Sequence, residues 1–388
     1  MVNNTDAIIS AHWAPMLQDF LNNRLVARPL ARTEFGVDWS FGDTVHFNYI
    51  NEPTVQTYTP ETDLDIADTD AVDDTLVINT RKAATFKIDR TVYRQVTPKY
   101  IAELADQSAY VLNNYIDQSL ISTGVNGANY TIAGGGLSAA TMYTQMLSIY
   151  ARLERSNACD VMPFAIITPD HAALLAGSFV QNGFNEADRK LEAGFKRLGE
   201  AAGFMVYVSN NCPHTGSLEL DVEPNDGDQV QLFGVTFTFV TTLGSTPGNV
   251  LIGANLAAAQ ANFVAAVTGA AGAGSTYVEL AKEDRAILSN AQVSAAAFSS
   301  DVSVLTAFGR IEGTMPVNTA GSVGFGTETA SMLFGRPQSM SLGIQIDKEL
   351  IIGQEPKKPV KNYMNFILCG FKAFARDQRR MVRLTATY

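Results

Sequence analysis

Residues 42–50 and 76–89 alternate apolar and polar side chains as β-strands do, and the stretch between them is too long for a tight turn and carries Pro53 and Pro60. A two-stranded ribbon of this kind has no third strand and is not stable alone in water. At about 3.3 Å per residue, about 15 residues each way would reach about 50 Å. Such a ribbon must lie on something else.

The same stretch is charged in one sense only. Between Arg32 and Arg81 there is no lysine or arginine, but there are eleven carboxylates: Glu34, Asp38, Asp43, Glu52, Glu61, Asp63, Asp65, Asp68, Asp70, Asp73 and Asp74. The formal net charge is -11, from 39 acids against 28 bases, so the whole imbalance sits here and the rest of the chain is neutral. A local excess of this kind governs how one segment meets its partners. With a pI near 4.9, the chain lacks the basic face of a protein that neutralises phosphates.

At 388 residues the chain can bury a real core, and its low charged fraction of 17% points to a surface covered by oligomerisation. Cys159, Cys212 and Cys369 are too scattered for a disulfide framework or a metal site, which suggests a reducing compartment. No signal peptide is expected at the N-terminus, and the Ala-rich run at 254–274 is too polar to span a bilayer.

Further along, residues 5–28 carry an amphipathic helical pattern and Pro98 opens a rod helix that Gly124 and Gly127 should end. The run AGGGLS at 133–138 is expected to be a flexible link into a helix at about 138–156. PFAIITPDHAALLAG predicts a strand and then a helix capped by Thr168 and ended by Gly177. A helix from Asn185 and a central strand FMVYV at 204–208 follow, and Ser209, Asn210 and Asn211 turn the chain outward. Composition shifts at about 225, and 226–315 reads as an inserted α+β module with a hairpin at 228–241 and helices at 255–268 and 281–290. The strand-like tail should return to the early core.

Motifs of catalysis are missing: there is no HExxH, paired Cys/His spacing, Walker loop or GxSxG. Asp170 and His171 are adjacent in a capped first helical turn, where they do not face each other. Asp63, Asp65, Asp68 and Asp70 could hold Ca2+, but they lack the glycine and closing glutamate of an EF-hand, and a partner-facing acidic loop is favoured. No catalytic residue, cofactor or metal is expected.

Three stretches carry a family resemblance: GDTVHFNYINEP with ATFKIDRTVYRQVTPKYIAELADQSA, KLEAGFKRLGEAAGFMVYVSNNCP, and MLFGRPQSMSLGIQI with KNYMNFILCGFKAF. Together with the order of elements, they resemble the major capsid (coat) protein of tailed bacteriophages, the Hong Kong 97-like fold, in its podovirus-type form with an inserted domain. The resemblance implies an α+β chain with an N-terminal arm (1–40), an extended loop (41–97), a spine helix and peripheral domain (98–136), an axial domain (137–225), the insertion (226–315) and a return to both domains (316–388). It further implies hexamers and pentamers on an icosahedral head in the virion, enclosing double-stranded DNA with weak contact and assembled in the host cytoplasm. A separate scaffolding protein, a portal and decoration proteins would be partners; a membrane would not.

On that resemblance the acidic ribbon becomes an inter-subunit arm. Asp63, Asp65, Asp68 and Asp70 would meet Arg81, Lys82, Lys87, Arg90, Arg94 and Lys99 of a neighbour, or its Lys357, Lys358 and Lys361. Because Thr33 to Thr80 contains no lysine, no isopeptide cross-link is expected from this loop. An encapsulin-like compartment shell and a tail protein are the alternatives within structural proteins, and a hydrolase built on Asp170 and His171 is the alternative outside them.

Overall fold

The computed structural model describes residues 25–33, 44–50, 55–60, 63, 71–89, 98–181, 199–297, 302–354 and 360–387. In chain order, β1 (Thr44–Ile50), β2 (Ala71–Val77) and β3 (Thr80–Asp89) precede the long helix α1 (Pro98–Gly127). Then come β4 (Tyr130–Gly136), α2 (Ala139–Arg155), β5 (Phe164–Ile167), α3 (Pro169–Gln181), β6 (Glu200–Ala201), β7 (Phe204–Val208) and β8 (Pro213–Glu219). The middle of the chain holds β9 (Gln229–Leu232), β10 (Val235–Val240), β11 (Asn249–Leu251), α4 (Leu256–Thr268) and α5 (Lys282–Asn290). It continues with β12 (Ser294–Ala297), β13 (Val302–Phe308), β14 (Gly313–Val317), β15 (Gly324–Phe325) and β16 (Thr329–Gly335). Finally β17 (Ser341–Gln354), β18 (Val360–Lys372), the short helix α6 (Ala375–Gln378) and β19 (Met381–Thr387) close the order.

The described residues divide into two compact units, one drawn from 31–112 and 338–378, the other from 19–30, 113–337 and 379–388. In the first unit, β1 pairs antiparallel with β2, and β17, β18 and β3 form an antiparallel three-stranded sheet. The sequence read 76–89 as one return strand. It is two: the chain leaves the ribbon at Val77, and after Ile78 and Asn79 it enters a different sheet as β3. Leu76 and Ile78 are buried at this junction, which fixes the crossing by apolar burial. β2 also starts at Ala71, so Asp73 and Asp74 lie in the strand and not in the loop.

The second unit is built on a ten-stranded mixed sheet. Its centre is β16, which pairs along its whole length with β19 and on its other edge with β8 and β5. β19 pairs in parallel with β4, so the late strand does return to the early core. Ala133–Gly136 of the glycine-rich run expected to be a flexible link therefore form the end of strand β4. Glycines are weak strand formers, and here pairing with β19 supplies what propensity does not. Helix α2 covers the sheet with Met142, Met146, Ile149 and Leu153, all fully buried at helical spacing.

Two glycines do not stop their helices. α1 runs through Gly124 to Gly127, and α3 runs through Gly177 to Gln181. A Cβ at Gly177 would come within 3.2 Å of the Ala139 Cβ, so close helix packing explains the glycine. Thr168 does cap α3, its Oγ1 accepting from the His171 amide at 3.3 Å. FMVYV is flanked by β5 and β6, but it buries only Phe204 and Val206, so it has one buried face rather than two. Of the helix expected at 5–28, residues 25–27 are irregular and lead into a short 3-10 turn at Arg28–Leu30, so its end is not α-helical; the rest of it, and the helix from Asn185, fall outside the described residues.

A four-stranded sheet, β11-β10-β9-β14, packs with α4 and α5 around Phe237, Phe239 and Phe263. Phe233 and Gly234 both take positive φ (52° and 81°), the geometry that closes β9 and β10 into a two-residue hairpin. Asn255 caps α4 by accepting from the Ala258 amide, and Arg285 donates to the Val267 and Ala266 carbonyls at its far end, both at 2.8 Å. β12 and β13 join the ten-stranded sheet through β8.

Candidate functional site

The acidic ribbon is the one feature of this chain whose composition demands a partner, and the structure shows how its root is held. On β1 and β2, Phe47 stands opposite Asp74 and Asn48 opposite Asp73. The Phe47 ring meets Phe374 edge-on, with centroids 4.7 Å apart. One oxygen of Asp74 lies 2.9 Å from the Lys372 ammonium, and the other accepts the Ala375 amide at 3.0 Å. Burial alone would push the Asp74 carboxyl up. The Ala375 amide and the Lys372 charge outweigh it and hold the group below its ordinary value. His46 lies 2.7 Å from the Asp73 carboxylate on the exposed ribbon surface. Among the described residues, Asp73 and Asp74 are therefore answered within the chain. Neither His46 nor Lys372 is among the partners expected from sequence, because their pairing needs the register of β1 with β2 and the crossing of β18.

Residues 55–60 and Asp63 are exposed, with Val55 fully so and Tyr58 at 65%. Asp65, Asp68 and Asp70 lie outside the described residues, as do Arg90, Arg94, Lys357 and Lys358. Arg81 and Lys82 are exposed on β3, opposite Leu368 and Ile367.

Arg81 belongs to a wider surface. It shares one face of the three-stranded sheet with Thr85 and Lys87, and with Met364, Phe366 and Leu368 of β18, which are only half-buried. Ile351, opposite Met364, extends that strip onto β17 and is 42% exposed. The opposite face of β18 is buried: Tyr363, Asn365, Ile367 and Cys369 point into the unit, and Asn365 donates to the Ala105 carbonyl of α1. The sheet thus presents a long apolar strip with a cationic border. An extended acidic segment carrying exposed Val and Tyr side chains is complementary to it in charge and in apolarity.

No metal-binding cluster of His, Cys, Asp or Glu occurs among the described residues, and none of their helices is long and apolar enough to cross a membrane. All three cysteines are free. Asp170 lies 3.7 Å from Arg310, while His171 turns its Nδ1 to Thr168 Oγ1 at 2.7 Å, so the two side chains are engaged separately.

No protein-family model and no curated protein matches the chain by sequence. Solved structures do match by shape. One from Mycobacterium phage Che8 aligns with a TM-score of 0.57 at 13% identity, covering 97% of this chain and 96% of that one. The capsid structure of the cyanophage P-SCSP1u aligns with a TM-score of 0.55 at 10% identity, covering 100% and 95%. The mature capsid of bacteriophage PhiM1 aligns with a TM-score of 0.51 at 11% identity, covering 97% and 91%. Similarity over nearly the whole of both chains identifies the fold: this chain has the Hong Kong 97-like fold of phage capsid chains.

Proposed function

We propose that this chain is a major capsid protein that self-assembles into hexamers and pentamers of an icosahedral phage head around double-stranded DNA. The observation that carries this is the full-length likeness to capsid chains, with 100% of this chain and 95% of the cyanophage capsid chain covered. The role is mechanical. In this reading residues 1–40 are an arm, 41–97 the extended loop, 98–136 spine and periphery, 137–225 the axial domain, 226–315 an insertion and 316–388 the return.

The ribbon is the arm that crosses to the next copy. Its exposed Val55 and Tyr58 and its acids, Asp63, Asp65, Asp68 and Asp70 among them, would lie along the strip bordered by Arg81 and Lys87, with Lys82, Arg90, Arg94, Lys357 and Lys358 as further basic partners. A separate scaffolding protein, a portal and decoration proteins would act with it in the host cytoplasm. The body of the chain is neutral, so DNA would be confined rather than gripped.

Negative-stain microscopy of the expressed protein, alone and with its scaffolding protein, tests the reading: closed shells are expected, and a persistent monomer under both conditions would overturn it. Reversing Asp63, Asp65, Asp68 and Asp70 together to lysine tests the arm, and should block or weaken assembly. Shells of unchanged yield and stability from that variant would return the segment to mere solvated charge.

A further inference from the structure

The turn Ser209-Asn210-Asn211, expected to lead the chain outward, leads inward instead. Asn211 is fully buried and Ser209 nearly so, and the Ser209 hydroxyl accepts the Asn211 amide at 3.1 Å. Asn211 meets one turn of helix α1 on which Asn114, Asp117 and Gln118 share a face at i, i+3 and i+4, all buried.

Asp117 Oδ1 accepts two consecutive backbone amides, Val26 at 2.8 Å and Ala27 at 2.6 Å. Its Oδ2 accepts Asn211 Nδ2 at 2.9 Å, and the same Nδ2 reaches Asn114 Oδ1 at 2.9 Å. On the far side, Gln118 Nε2 donates to the Asn290 carbonyl at 3.0 Å and approaches Asn211 Oδ1 at 3.5 Å. Gln118 Oε1 accepts from Gln292 Nε2. Gln292 closes the turn between α5 and β12, and its φ of 46° is a left-handed value that costs a non-glycine residue about 1 kcal/mol.

These bonds have a direction. An ionised carboxylate only accepts. Asn211 must therefore turn its NH2 to Asp117, which leaves its oxygen for Gln118. Gln118 then turns its own NH2 toward Asn211 and Asn290, and its oxygen is left to take the proton of Gln292. The polarity of the whole chain follows from one group, and in a buried network each bond strengthens the next. Burial outweighs Asn211, Ala27 and Val26 and holds the Asp117 carboxyl above its ordinary value, and the partners named here are amides rather than cations. Cys212, the ionisable neighbour on the 209–212 turn, is held as a neutral thiol by its own burial and by the Asp117 charge.

We propose that Asn114, Asp117, Gln118 and Asn211 form a coupling junction, through which the seating of the 25–30 segment and the closing of the turn at Gln292 favour each other. The segment is otherwise held by Val26, Ala27 and Leu30, which are buried, so it has two separable anchors, one apolar and one polar. Loss of the polar anchor would be felt at the Gln292 turn, and loss of the Gln292 side chain at the segment. Such coupling is reciprocal by thermodynamic necessity. The inference concerns the single chain and does not rest on shell formation.

Hydrogen exchange of the full chain, read by mass spectrometry, tests it. Gln292→Gly removes the side chain at a φ that glycine adopts freely, so the fold should be kept. This variant should speed exchange at the Val26 and Ala27 amides by about tenfold, a coupling within the usual allosteric range. Asp117→Asn, which lets the amide chain reverse, should speed exchange at Gln292 and Val293 as well as at Val26 and Ala27. Unchanged exchange at Val26 and Ala27 in Gln292→Gly overturns the proposal, even if Asp117→Asn should unfold the chain. So does an Asp117→Asn effect confined to residues 25–30.

Discussion

Lys372 reaches back across the first unit to hold Asp74, its Nζ 2.9 Å from Oδ1, and so ties a ribbon strand to the end of β18. The Ala375 amide takes the second oxygen, which makes the carboxylate a two-point peg. If the ribbon docks on a neighbour as proposed, a pegged root would reduce the ordering left to be done on docking.

Lys372→Met should loosen that root by about 1 kcal/mol, the partial exposure of the lysine limiting the effect. Faster limited proteolysis between residues 51 and 70 than in the parent chain would show it. The acid limit has a definite sign. The folded Asp74 carboxyl sits below its ordinary 3.8, so its contribution is present above 3.8 and lost as pH falls further through the folded value. The protease contrast between parent and variant should therefore vanish toward pH 3; an unchanged contrast there would remove Asp74 from the root.

At Gly370 the chain has no room for a side chain. A Cβ there would stand 2.2 Å from the Val77 carbonyl oxygen, where the ribbon leaves its sheet. Gly370→Ala should displace the ribbon root and cost about 3 kcal/mol, as overpacking against backbone does. Thermal melting and the yield of soluble protein measure it, and a variant as stable as the parent would contradict the close approach.

Asp228 pins a loop in the second unit. Its oxygens accept the Thr319 amide and hydroxyl at 2.6 and 2.7 Å, the Asn225 amide at 2.9 Å and the Ala320 amide at 3.2 Å. Burial opposes the charge, but Thr319 and the amides win and hold the carboxyl below its usual range. Asp228→Ala strands these donors and should cost about 3 kcal/mol in urea unfolding. Asp226, whose carboxylate accepts the exposed Thr241 amide, should cost under about 1 kcal/mol on the same substitution.

His171 is buried and held neutral, its imidazole pushed down to about 4 by burial and by the neighbouring His214, with Asp170 pulling the other way. A histidine depressed from 6.5 contributes stability above pH 6.5 and loses it as pH falls toward 4. About 3 kcal/mol should be lost across that window. Urea midpoints at pH 7, 6, 5 and 4 should fall more steeply for the parent than for His171→Gln. Parallel curves would place the acid sensitivity elsewhere.

Much of the architecture was readable where one local rule governed one element. Pro98 opening α1, Thr168 capping α3, and the hairpin within 228–241 are each decided within a few residues. What escaped was decided by distant partners. AGGG became a strand because β19 pairs with it, and the return strand split because β18 takes its second half. Gly177 lies inside a helix because Ala139 packs against it. The root of the ribbon was not legible: Lys372, Phe374 and Gly370 carry no local signal and meet Asp74, Phe47 and Val77 only in the fold. Asn211 reads as a turn residue, since nothing nearby in sequence announces Asp117.

The placing of β19 between β4 and β16 has a consequence for how the molecule is made. The strand at 381–387 is an interior member of its sheet, so that sheet cannot close until the ribosome has passed residue 387. A nascent chain can carry a finished hairpin or helix, but the core on this sheet stays open, and pairing between residues this far apart is slow. Synthesis thereby acts as a clock: polypeptides cut short of β19 lack a strand from the middle of a sheet and are excluded from the folded pool.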